Sequence, residues 1–203
     1  MNLTEWALLV ALSLLWGGSY FFVGLAVREL PTFTIVVARV GIAAVALHIL
    51  LRIVGQTFPR EWPVLRAFLI MGLANNVVPF GLIVWGQSHV ASSVAAILNA
   101  TTPVFAVIVA HYFAHDERLT PARVVGVVLG FAGVAVMMGA DAVGTLGLQA
   151  GAQVAFLGAG LAYSLASVYG RRFTKMGVTP MATATGQVTA SSIVLIPLVA
   201  FVD

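Results

Sequence analysis

Between Arg66 and Asp116 the chain carries no Asp, Glu, Lys or Arg. A soluble domain is about 25% charged, whereas this chain is 8% charged and 61% hydrophobic. A run of that length exceeds one membrane-spanning helix, which needs about 20 mainly apolar residues. The polar triplet Gln87-Ser88-His89 divides it, so it reads as a hairpin of two spans, 3 and 4. The other gaps between charges predict span 1 at 6–27, span 2 at 32–54 (interrupted by Arg39), span 5 at 123–139, span 6 at 149–170 and span 7 at 179–201. The runs are continuous and lack the two-residue alternation of a membrane barrel. In lipid a helix satisfies its own backbone groups. The expected fold is therefore all-α, a polytopic transmembrane helix bundle with about seven spans present. The first span lacks a basic leader and is long enough to cross, so it is expected to be retained.

The remaining charges lie in short loops. Arg52, Arg60 and Arg66 fall between spans 2 and 3, and Arg118 and Arg123 between spans 4 and 5. Arg171, Arg172 and Lys175 fall between spans 6 and 7, and Arg28 stands alone on the opposite side. By the positive-inside rule the N-terminus is expected in the cytoplasm and Asp203 outside. The net charge of +3 thus reports topology, and no nucleic-acid partner is expected. Cysteine is absent, which excludes disulfides and thiolate metal sites. His111 and His115 form an i, i+4 pair without a carboxylate companion, and no metal or other cofactor is expected. Trp62, Tyr112 and Phe113 suit an interfacial aromatic belt.

Polar residues inside spans are costly and mark function or helix–helix contacts. Arg39 is the one charge within a span. It is either a structural arginine held by carbonyls or a contact for solute. Trp16, Asn75 and Asn76, Asn99 with Thr101 and Thr102, and Tyr163 with Ser164 all fall near the middle of their spans. A shared layer of hydrogen-bonding groups would line a cavity, or would tie helices together. Pro79 and Pro103 each leave a carbonyl without its donor and should bend spans 3 and 4. Small residues at Gly126, Gly130 and Gly133 in span 5, and at Gly158, Gly160, Ala162 and Ala166 in span 6, would allow close helix packing.

Segments 11–28 (ALSLLWGGSYFFVGLAVR) and 158–172 (GAGLAYSLASVYGRR) align when Trp16 is set against Tyr163. Each is followed by a short polar link with a proline, Pro31 and Pro180. Five spans lie between the two starts, and an odd number inverts the second unit in the membrane. With these features placed, the chain closely resembles the drug/metabolite transporter superfamily, in its EamA-type family. The resemblance is carried by Leu15-Trp16-Gly17-Gly18-Ser19, by Arg39, and above all by residues 91–103 (ASSVAAILNATTP). It continues through Asp116-Glu117-Arg118-Leu119-Thr120 to Gly126, Gly130 and Gly133. His115-Asp116 stands where the family has Leu-Gly, a minor loop departure.

The resemblance implies two inverted five-helix repeats, here 1–140 and the opening of a second at 149–203, in a ten-span protein. It also implies alternating-access export of small metabolites, amino acids or drug-like solutes, from an integral protein of a bacterial plasma (inner) membrane. The second repeat is expected to be truncated, so the chain would be a fragment, completed by missing C-terminal spans or by a dimer partner. The positions matching the family's central cavity are Trp16, Asn76, Asn99, Pro103 and Tyr163, with Arg39 beside them. The expected partners are a small-molecule solute and the lipid bilayer. Two other classes fit the residues less well. A seven-helix receptor or retinal pump would want a Schiff-base lysine in its last span, but Lys175 lies in the loop before it. A membrane-embedded lipid-modifying enzyme would want intramembrane acids, and none is present in the first six spans.

Overall fold

A computed structural model describes residues 2–113, 120–138 and 148–203, and the described residues are helical apart from their connections. The predicted turn at Asp116-Glu117-Arg118-Leu119 and His115 lie outside them. In chain order the helices are α1 (Leu3–Ala26), α2 (Thr32–Ile53), α3 (Trp62–Gly72), a π-helical turn (Leu73–Val77), α4 (Val78–Gln87), α5 (Ser92–Asn99), α6 (Thr102–Phe113), α7 (Pro121–Met138), α8 (Leu148–Lys175) and α9 (Pro180–Val202). The chain is an all-helical polytopic bundle. Among the described residues six helices are long and apolar enough to cross a membrane, the pairs α3–α4 and α5–α6 each counting as one. The remaining expected span, span 5, falls on α7, whose shorter apolar stretch is Pro121–Gly130.

Local chemistry sets the helix ends. Asn2 and Glu5 form a capping box before α1, each side chain accepting from the other's backbone N–H at 2.8 Å. Thr179 caps α9 by accepting from the Ala182 N–H, with Pro180 in the first turn where its missing donor costs nothing. α2 and α8 end in the same motif. Gly55 (φ 72°) and Gly177 (φ 70°) take the left-handed conformation that glycine adopts freely. The next N–H in each case returns to the helix, Gln56 to the Leu51 carbonyl and Val178 to the Phe173 carbonyl, both at 3.0 Å. The two turns meet where Thr179 Oγ1 donates to Gln56 Oε1 at 2.7 Å.

Both prolines expected to bend their spans interrupt the regular helix, in different forms. Pro79 has no N–H for the Asn75 carbonyl, and the helix widens just before it. The Val78 N–H reaches back five residues to the Leu73 carbonyl, a π turn. Span 4, expected as one bent helix, is broken at Ala100-Thr101. There the Asn99 carbonyl that Pro103 cannot serve accepts from Thr102 Oγ1 at 2.7 Å, and the Leu98 carbonyl accepts from Thr101 Oγ1 at 2.7 Å.

The packing is built on α2 against α9 and on α8 against α4 and α6. Val36, Val40, Val84 and Leu195 form one buried cluster, Phe68, Met71, Ala166 and Phe173 a second, and Ile83, Leu98, Phe156 and Ala159 a third. Glycines permit the closest approaches. A β-carbon on Gly72 would lie 2.7 Å from the Gln187 carbonyl, and one on Gly186 would collide with the Phe68 ring. Of the expected small-residue face of α7, Gly130 lies against Val104, whereas a β-carbon on Gly126 or Gly133 would meet nothing. Asp203 accepts from the backbone N–H and hydroxyl of Thr34, so the end of α9 caps the otherwise uncapped start of α2. α1 packs at the edge against α5 and α4 and is exposed along most of its length. An apolar exposed surface is stable where lipid, not water, covers it.

Candidate solute cavity

A cavity of about 430 Å³ opens beside α1 and is lined from six helices and the π turn. Helical spacing explains the lining. On α1 the residues are Trp16, Ser19, Tyr20 and Val23, spaced i, i+3, i+4 and i+7, which is one helix face. α4 contributes Phe80, Ile83 and Gln87 at i, i+3 and i+7. α8 contributes Tyr163 and Ser167, one turn apart, and Asn99 and Thr102 come from the two sides of the break in span 4. Arg39 enters from α2 and Asn75 from the π turn.

The wall combines aromatic rings with a few polar groups, as solute pockets do. Arg39 is half-buried, and its guanidinium lies 4.3 Å from the centroid of the Phe80 ring. That ring meets Tyr163 edge-on at 6.3 Å between centroids. The charge of Arg39 is thus held by a cation–π contact, and no described lining residue is an acid. Gln87 is buried. Its Nε2 donates to the Tyr20 carbonyl at 2.9 Å and to Ser92 Oγ at 3.3 Å. The carbonyl acceptor fixes which end of the amide is nitrogen, so the Gln87 Oε1 acceptor remains without a partner. Asn99 Oδ1 is likewise buried and unpartnered. Two bare amide oxygens in an apolar wall are costly unless water or a solute donates to them.

The predicted site residues separate. Trp16, Asn99, Tyr163 and Arg39 line this cavity together. Trp16 is 64% exposed and stands at its mouth. Asn76 and Pro103 do not line it. Asn76 is buried toward α9, where its Nδ2 donates to Ser191 Oγ at 2.9 Å; Ser191 Oγ in turn donates to the Gln187 carbonyl at 2.6 Å, with the Gly72 carbonyl also in reach at 3.1 Å. Its neighbour Asn75 faces the cavity and donates from Nδ2 to Gln187 Oε1 at 3.1 Å. Both asparagines thus bond α9, and neighbouring residues on a helix point about 100° apart, so Asn75 alone of the two lines the cavity. Pro103 is exposed and shapes the break between α5 and α6. Gln87 and Tyr20 escaped sequence reading. Gln87 reads as part of a loop, although it is one of few amides in a charge-free run. Tyr20 could have been found from its position one turn after Trp16.

A bundle with six helices long and apolar enough to cross a membrane, and a mainly apolar cavity lined from six helices, is the architecture of a polytopic integral membrane protein. It belongs to the EamA-like transporter family, whose pattern matches residues 4–139. Among its relatives is an uncharacterized inner membrane transporter, YedA, of Escherichia coli K12, 29% identical over 93% of this chain and 60% of its own length. Another is an uncharacterized transporter, YoaV, of Bacillus subtilis, 22% identical over 80% of this chain and 56% of its own. A third, from Streptantibioticus cattleyicolor, is named a probable terminal-alkyne amino-acid exporter and is 28% identical over 65% of this chain and 43% of its own. The chain thus spans little more than half the length of the first two. No solved structure matches it.

Proposed function

We propose that this chain is the larger part of a secondary exporter that moves a small solute by alternating access, and that it acts as a carrier and not as an enzyme. The observation that carries this reading is the cavity. It gathers Arg39, the Gln87 and Asn99 amides and a Trp16–Tyr20–Tyr163 aromatic set from helices of the first four expected spans and of the sixth. Such a site between two repeats is where transporters bind solute while one half rocks against the other. The family pattern over residues 4–139 and the lengths of the relatives support a first repeat at 1–140, a second beginning at 149–203, and further spans beyond. The loop charges support a cytoplasmic N-terminus. With one cation and no acid in the described lining, the cavity suits a neutral, amphipathic or zwitterionic solute. A zwitterion could place an anionic group on Arg39 and donate N–H bonds to Gln87 Oε1 and Asn99 Oδ1. The relative named an amino-acid exporter fits that chemistry.

The test is flux of a panel of labelled amino acids and other small solutes from proteoliposomes holding the complete protein. At least one zwitterionic solute should move faster than in empty liposomes, and Asn99→Ala and Gln87→Leu should slow it while insertion is unchanged. Wild-type flux in both variants would remove the cavity from the pathway.

A further inference from the structure

A second concavity lies on the other side of α2, away from the solute cavity. It is a groove of about 510 Å³ between α2 and α9. Its length follows from its residues. Gly41 and Arg52 both line it and are eleven positions apart on one helix, about 16 Å at 1.5 Å per residue. Half of a ~30 Å hydrocarbon core is about 15 Å, so the groove is as long as one leaflet. Its middle is apolar. The hydroxyls of Thr189 and Ser192 are spent on carbonyls of their own helix, at 2.7 and 2.8 Å, and offer no free donor. At Gly41 it is open, since a β-carbon there would meet nothing within 4 Å.

One end of the groove is basic. His48 and Arg52 stand one turn apart there. His48 Nδ1 donates to the Ala44 carbonyl at 2.9 Å, because a carbonyl can only accept, and the ring stacks on Phe58 at 5.2 Å between centroids. In that tautomer Nε2 carries no proton, so the donor for an anion at this end of the groove is Arg52. Arg52 is exposed, has no acidic partner among the described residues, and shares the groove with no described carboxylate. An apolar trough one leaflet long, ending in an unpaired guanidinium and an imidazole, complements one lipid class.

We propose that this groove holds an anionic phospholipid, one acyl chain lying from Gly41 toward Arg52 and the phosphate resting on Arg52. Basic pockets between helices on the cytoplasmic side bind such headgroups. The proposal rests on the topology above only for the leaflet that supplies the lipid. Solute flux does not enter its test, so the two readings fail separately.

The experiment is native mass spectrometry of the purified full-length protein. Dioleoylphosphatidylglycerol competes there with dioleoylphosphatidylcholine at equal concentration, so the chains match and only the headgroup differs. The expected result is a preference of about fivefold for the anionic lipid, the size one basic side chain gives near a membrane surface. Arg52→Gln should abolish the preference. Gly41→Leu, which fills the open trough without a clash, should reduce retention of both lipids. Arg60→Gln, outside the groove, should change neither. Glycerol phosphate alone should not displace the lipid. Equal retention of the two lipids by the wild-type protein, an undiminished preference in Arg52→Gln, or displacement by glycerol phosphate would each overturn the site.

Discussion

Asn75 and Asn76 show how finely the site depends on single residues. Asn76 joins α9 to the π turn through Ser191, whereas Asn75 faces the cavity. Asn76→Ala is therefore expected to cost about 1 kcal/mol, the usual size of a hydrogen bond between membrane helices. It should lower the melting temperature in detergent and leave the KM for solute unchanged. Asn99 carries the opposite expectation: Asn99→Ala should reduce flux about five- to tenfold, as loss of one hydrogen bond of ~1 kcal/mol would, with little change in melting. Gln87→Leu should reduce flux as well and also lower melting, because it gives up the bond to the Tyr20 carbonyl. Arg39→Lys keeps the charge but gives up the planar face against Phe80. Its flux should fall while Arg39→Ala falls further, measured side by side in proteoliposomes. Asn99 and Arg39 were legible as polar groups inside apolar runs. The choice between Asn75 and Asn76 was not, because a π turn changes helical phase by bonds that side-chain identity does not reveal.

Prolines and glycines set the form of the elements. Pro79 was legible as a bend, but its consequence is a widened turn that directs Asn75 into the cavity. Pro79→Ala restores a donor for the Asn75 carbonyl and is expected to favour regular α-helix. Flux should then drop while secondary structure by circular dichroism is preserved. Pro103 was legible as a bend as well, and the helix is broken there, with the Thr102 hydroxyl serving the Asn99 carbonyl that Pro103 leaves without a donor. Close approach was less legible. The glycine stripe of α7 stands out in the sequence, yet of its members Gly130 makes a tight contact and Gly126 and Gly133 do not, while the less conspicuous Gly72 and Gly186 lie tightly against their neighbours. Gly186→Ala should destabilise by about 1–3 kcal/mol, the cost of overpacking against a buried ring, read as a lower melting temperature.

At the scale of the whole molecule, the absence of cysteine makes topology directly testable. Single cysteines at Thr57 and at Glu29 should differ in intact cells. An impermeant maleimide should label Glu29→Cys and leave Thr57→Cys unlabelled until the cells are opened. The reverse pattern would overturn the cytoplasmic N-terminus. The chain by itself determined that helices would form and roughly where they would stop. Length without charge and continuous apolarity leave a bilayer no other economical way to satisfy the backbone, and those properties are local. Only the tertiary structure decided which face of each helix meets the cavity. Arg39 against Phe80, Gln87 behind Tyr20 and Asn76 against Ser191 are pairings between distant parts of the chain. In a bundle where nearly every face is apolar, hydrophobic patterning carries little information about rotation. The few polar groups, seeking partners across helices, set it instead.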